Sequence, residues 1–200
     1  MRLALAGWAA LLCTLPAHGD ELGLPQSVVH ALTPIDAQPT QSALNQVFAT
    51  PQLALENLRS IALDRSLDLG IQLRAIRALP AYCPPAPQAC GPGTPVHDTL
   101  IMLITSQQLV QHTPKDQLRL RAAIEALGAT RSKLVDDVNT LMPLLGNGSR
   151  DVRATVVRAL LNICNTQAIG PLTRSYSLEQ VAQVRAEISA AIQDLHQCTE

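Results

Sequence analysis

The chain has 200 residues, a formal charge of −1, and an aromatic content of two Tyr, one Phe and one Trp. A near-neutral chain lacks the basic surface that binding to nucleic acid or anionic membranes draws on, and so few rings exclude stacking sites for bases or sugars. Length and a hydrophobic fraction of 47% suffice for one domain with a sizeable core.

Residues 1–19, MRLALAGWAALLCTLPAHG, combine a positive start (Arg2), an apolar run from Leu3 to Leu15, the breaker Pro16 and the small residues Ala17 and Gly19. That is the form of a secretory signal peptide, with cleavage expected after Gly19 and a secreted or periplasmic product. The run is too short to span a bilayer, and Leu12 stands where a lipoprotein needs a small residue before Cys13. No later stretch is apolar enough for an anchor, so no membrane insertion is expected after cleavage. With Arg2 removed, 14 basic residues face 16 acidic ones, a charge of −2, and the Trp at position 8 is lost. Residues 20–50, interrupted by Pro25, Pro34 and Pro39, read as an N-terminal cap or an extended segment.

From 51 to 200 the pattern is helical. Thr50-Pro51 and Thr113-Pro114 set an N-cap before a first-turn proline, and Asp116 adds the third-position partner of a capping box, as Gln180 does after Ser177. Asn147-Gly148 breaks the chain ahead of a Ser149 cap. Helices are expected near 51–65, 68–80, 96–111, 114–128, 132–145, 149–164 and 177–197, with one or two short ones between 25 and 48, and no strand. QAIGPLTRS (167–175), with Gly170 and Pro171, reads as non-helical, which would suit a terminal cap.

The loop at 82–95 is the most unusual stretch: Cys83, Cys90 and, just beyond it, His97 recur at intervals of seven. Three such ligands could hold zinc or copper, but zinc knuckles space their cysteines more tightly and no fourth ligand is visible. Four cysteines survive signal cleavage, and in an exported chain an even number favours disulfides, with three possible pairings. The expected pairs are Cys83 with Cys90, closing a proline-stiffened loop, and Cys164 with Cys198, which end helices of neighbouring units.

Comparison of helices exposes a repeat. VRATVVRAL (152–160) aligns without gaps on VRAEISAAI (184–192) at a spacing of 32, and AIEAL (123–127) precedes VVRAL (156–160) by 33. AIRAL (75–79) lies 48 before AIEAL, one period plus about the length of the Cys- and Pro-rich insertion. A period of this size is one helix hairpin, and hairpins that each bury a face by stacking make a solenoid. The pattern Asp151-Val152-Arg153 with alternating Ala and aliphatic residues to Ala159-Leu160 resembles the HEAT and HEAT-like repeats, whose short version also occurs in bilin lyases. The resemblance runs over about residues 51–197. It implies an all-α fold, a short right-handed α-solenoid of about three and a half stacked hairpins.

On a helical wheel Arg153 falls inside the apolar stripe of Val152, Ile163, Val156, Leu160 and Val157. In a stack, such an arginine faces the neighbouring hairpin, laying its methylenes on apolar surface while its guanidinium meets a carboxylate or helix-end carbonyls. Asp136, Asp137 and Asp151 are the candidate partners. Arg185 occupies the same position one unit on, and the resemblance implies an internal ladder of such residues. Gln72 and Leu120 stand at that position in the two earlier units.

No catalytic constellation is visible. His30, His112 and His196 are isolated and accompany no hydrolase or metalloprotease motif, and Asp136 and Asp137 diverge on a helix and cannot share a proton. No catalytic residue, metal or cofactor is assigned, and a monomer is expected. Two functions compete. One is an exported scaffold that binds a protein or peptide. In the resembled family the second helices line the inner curve; here they carry Arg77, Arg121, Glu125 and Arg158, which suit an acidic partner, although the same charges could serve solubility alone. The other is a cofactor-handling or lyase-like enzyme, suggested by the bilin-lyase repeats alone.

Overall fold

The computed structural model describes residues 24–33, 38–84, 86, 90–108 and 113–198. The signal-like segment 1–19 and His112 lie outside them. Among the described residues the secondary structure is entirely helical, with no strand.

Two short helices, α1 (Gln26–Leu32) and α2 (Gln41–Phe48), precede the repeats. Pro25 opens α1, and the Thr40 hydroxyl accepts the Ala43 N–H to cap α2. Val28, Leu32 and Leu44 are buried, because α1 packs on α2 and on the fourth helix while α2 packs on the third. The rest of the described chain forms four helix pairs. The first is α3 (Pro51–Leu63) with α4 (Leu69–Ala78), and the second is α5 (Pro95–Gln108) with α6 (Pro114–Ala129). The third joins α7 (Val135–Leu141), continued as a 3-10 turn over Met142–Gly146, to α8 (Arg150–Ile163). The fourth is α9 (Ile169–Leu178) with α10 (Ala182–Leu195). The second helices α4, α6, α8 and α10 contact one another in succession, and each also packs on the first helix of its own pair. The result is an all-α stack in which one buried apolar cluster continues from Val28 to Leu195.

Local sequence accounts for most helix ends. Thr50 accepts the Leu53 N–H, Asp68 that of Ile71 and Ser149 that of Val152, while Thr113 and Asp116 complete a reciprocal capping box. Cys164 ends α8 with φ 57°, a left-handed position usually taken by glycine. A glycine there could not form the bridge to Cys198, whose Cα lies 5.4 Å away.

The last unit differs from its sequence reading. Residues 169–178 form a helix, because Gly170 and Pro171 fall in its first turn, where a missing N–H breaks no intrahelical bond. Ser177 accordingly lies inside α9, its hydroxyl bonded to the Arg174 carbonyl, and caps nothing. The expected single helix 177–197 is two helices, broken at Glu179–Val181.

The backbones of neighbouring units approach closely at Gly128. A Cβ built there would lie 2.7 Å from the Ala159 Cα. Only glycine on α6 opposite alanine on α8 allows the two helices to meet at this distance.

Candidate functional site

Three polar clusters are set into the seams of the stack, and each joins groups far apart in sequence. Between the first and second pairs, Arg119 is 7% exposed; its Nε donates to the Gln72 Oε1 at 2.7 Å and its Nη1 to the Asp116 carboxylate at 3.1 Å. Gln72, fully buried, passes its own Nε2–H to the Leu67 carbonyl. The Thr113 hydroxyl donates to Asp116 at 2.6 Å and, with Arg65 and Arg119 nearby, holds its carboxyl below the usual range. Between the second and third pairs, the fully buried Asp137 meets the His97 Nε2 at 2.8 Å and the Ser132 hydroxyl.

Between the third and fourth pairs, Arg153 grips Glu179 with both Nε (2.6 Å) and Nη2 (2.8 Å), while its Nη1 donates to the carbonyls of Asn147 and Gly148. The Arg153 bonds hold the Glu179 carboxyl at a pKa of about 2, well under the usual carboxylate range, and the Val181 N–H adds to this. A bidentate, charge-assisted pair in a seam is the strong form of this interaction.

These positions correct several sequence expectations. Arg153 lies in a seam, but its carboxylate is Glu179 and none of the three nearby aspartates. Asp137 is taken by His97 and Ser132, and Asp151 is a surface residue beside Arg121 (3.7 Å) and Arg150 (3.5 Å). Arg185 is exposed, its guanidinium 6.0 Å from the Tyr176 ring centre, and no carboxylate among the described residues pairs with it. The ladder role of the second pair belongs to Arg119, one residue before the aligned Leu120, which is core. Gln72, at the ladder position of the first pair, is its partner. The weak signal for Glu179 is its place two residues before the N-cap of a helix that lacks a side-chain cap; nothing local ties it to an arginine 26 residues earlier.

The four cysteines lie in two bridges, Cys83–Cys90 and Cys164–Cys198, with Cα atoms 5.2 and 5.4 Å apart. His97 is turned away from both cysteines into its bond with Asp137. No group of His, Cys, Asp and Glu suited to a metal ion occurs among the described residues. No helix among them is long and apolar enough to cross a membrane.

The second-helix face carries the expected charges, but most are engaged. Arg77 on α4 donates to Glu125 on α6 at 2.8 Å, and Arg158 on α8 binds Glu187 on α10 through two bonds of 2.9 Å, so neither arginine nor Glu125 stands free. Arg121 on α6 is held loosely. Its Nη1 reaches Asp151 only at 3.7 Å, and its buried Nε has no hydrogen-bond partner. Arg121, Arg150, Asp151 and Arg158 line a pocket of about 50 Å³ that the start of α10, at Gln183 and Val184, closes. Arg158 is neutralised by Glu187, and Asp151 faces Arg121 and Arg150 at 3.7 and 3.5 Å, so a second carboxylate there would meet two arginines against one acid.

Helix pairs stacked through their second helices around one continuous core define the class, an α-solenoid of repeats. Residues 106–193, which span the second-pair α6, the third pair and nearly all of the fourth, match the family model described as HEAT repeats. A solved crystal structure of an engineered protein is similar at 20% identity, covering 85% of this chain and 78% of its own, with a TM-score of 0.43. No curated protein matches the chain in sequence.

Proposed function

We propose that the protein is an exported interaction scaffold that receives an acidic segment of a partner protein on its second-helix face, at Arg121 and Arg150. The observation that carries this reading is Arg121, whose guanidinium lines a small pocket with Arg150 and reaches its carboxylate, Asp151, only at 3.7 Å. Two arginines against one loosely placed aspartate leave this spot net positive, which favours a carboxylate from a partner. Arg150, with 67% of its side chain exposed, stands at the mouth of the same pocket. Arg77 and Arg158, already bonded to glutamates, stiffen the face on either side. Export is supported by the signal-like segment 1–19 together with two disulfides, which persist in oxidising compartments.

The test is affinity capture from the exported fraction with the oxidised chain as bait. A partner retained by wild type and by Arg77→Ala, but lost with Arg121→Glu and Arg150→Glu, is the expected result. A partner retained equally by all four baits would overturn the assignment to this pocket.

A further inference from the structure

A second concavity lies along the side of the stack, away from the arginine pocket, and none of the expected site residues except Arg153 touches it. It occupies about 660 Å³ between the 3-10 turn that continues α7 and the flank of α9. This is within the range of roughly 300–1,000 Å³ typical of ligand sites. One wall is Met142, Pro143 and Leu145, continued by the bare loop Gly146–Asn147–Gly148. The opposite wall is the stripe Pro171, Arg174, Ser175 and Leu178 of α9, residues at the spacing of one helix face. The Arg153–Glu179 pair closes the floor.

Three features specify an occupant. Leu178 is 76% exposed, the most of any large apolar side chain among the described residues, and it shares its wall with Pro171, across the cleft from Met142 and Leu145. Of the charged residues lining the cleft, Arg153 and Glu179 neutralise each other, whereas Arg174 makes no side-chain ion pair among the described residues. The cleft therefore presents apolar wall and one uncompensated positive charge. The glycine loop supplies the third feature: a Cβ at Gly146 or Gly148 would meet nothing within 4 Å, so there is steric room along the loop, whose Asn147 and Gly148 carbonyls are held by Arg153.

We infer that this cleft binds an extended peptide segment of a partner that carries apolar side chains for Leu178 and Pro171 and an Asp or Glu for Arg174. A cleft of about 660 Å³ with apolar residues on both walls and a cation on one of them fits several side chains of one extended segment, more than a small apolar acid supplies. The site is separate from the arginine pocket of the second-helix face, and its test is independent of that reading.

Fluorescence polarisation of the full, oxidised chain with blocked peptide pools of about ten residues decides it, each pool mixing Leu and Val with Glu, with Gln or with Lys. Wild type should prefer the Glu pool to the Lys pool by about tenfold. Arg174→Glu should invert that preference, and Leu178→Ser should weaken binding of the Glu pool by about tenfold. Both positions are exposed, so circular dichroism melting should be unchanged. Arg121→Glu with Arg150→Glu should leave this binding intact. Equal binding of the three pools by wild type, or insensitivity to both cleft variants, would overturn the proposal. Binding of laurate with no peptide binding would overturn the peptide assignment in favour of a small apolar acid.

Discussion

Arg153 and Arg185 occupy equivalent places in consecutive repeats, inside the same nine-residue pattern, and meet opposite environments. In the third pair the arginine is followed by another hairpin, and the turn of that hairpin brings Glu179 to its guanidinium at 2.6 and 2.8 Å. In the fourth pair no further helix lies beyond α10 among the described residues. Arg185 lies in solvent over Tyr176, and the end of its helix is tied back by the Cys164–Cys198 bridge. The third unit is held by helix packing on both sides, whereas the fourth is tied to the third by a covalent staple as well as by packing.

The comparison can be broken most forcefully at that staple. Replacing Cys164 and Cys198 together by serine opens a bridge of sequence separation 34 and should cost about 4 kcal/mol on the chain-entropy estimate. Urea unfolding measures the loss, and hydrogen exchange should rise first in α10 while α6 and α8 stay protected. Uniform exchange across all three helices would show that the terminal unit does not depend on the bridge. Arg153→Ala, which leaves the buried Glu179 unpaired, should cost about 3 kcal/mol. At roughly 2–4 °C per kcal/mol for a chain of this size, the melting temperature should fall by about 10 °C.

Gly128→Ala should cost about 2 kcal/mol, since the new methyl would force α6 away from Ala159. Acid titration probes the Arg153–Glu179 pair from the carboxylate side. The Glu179 carboxyl sits near 2 in the folded chain against about 4.3 when unfolded. Its stabilisation is therefore complete above about pH 5 and disappears as pH falls toward 2, because the unfolded state takes up the proton first. Glu179→Gln should flatten the pH dependence of stability in that window. Smallest of all, Arg185→Ala should change stability by under about 0.5 kcal/mol, the value for a surface substitution. A loss as large as that of Arg153→Ala would erase the distinction between the two units.

Reading the repeat from sequence succeeded where the signals are local. The Thr50, Thr113 and Ser149 caps, the apolar stripe of α8 and the period of 32–33 all depend on residues within one hairpin. Gly170 and Pro171 misled because both are breakers in a helix interior and harmless in a first turn, and which applies depends on where the helix starts. The candidate site was partly legible. Arg121 was visible as a charge on a second helix, but the engagement of Arg77, Glu125 and Arg158 was not, since each partner lies 29 or 48 residues away. Arg119 was hidden because repeat alignment placed Leu120 at the ladder position, and only the packing of α6 on α4 showed that Gln72 needed a donor one residue earlier.

From the sequence alone came the helices, their caps and the hairpin period, because these rest on hydrogen bonds and burial patterns that act over one or two turns of chain. The pairing of charges came from the tertiary structure. Whether an arginine meets a carboxylate, an aromatic ring or an open pocket depends on the distances between stacked units, and those distances are decided by contacts such as Gly128 on Ala159 that no single repeat encodes.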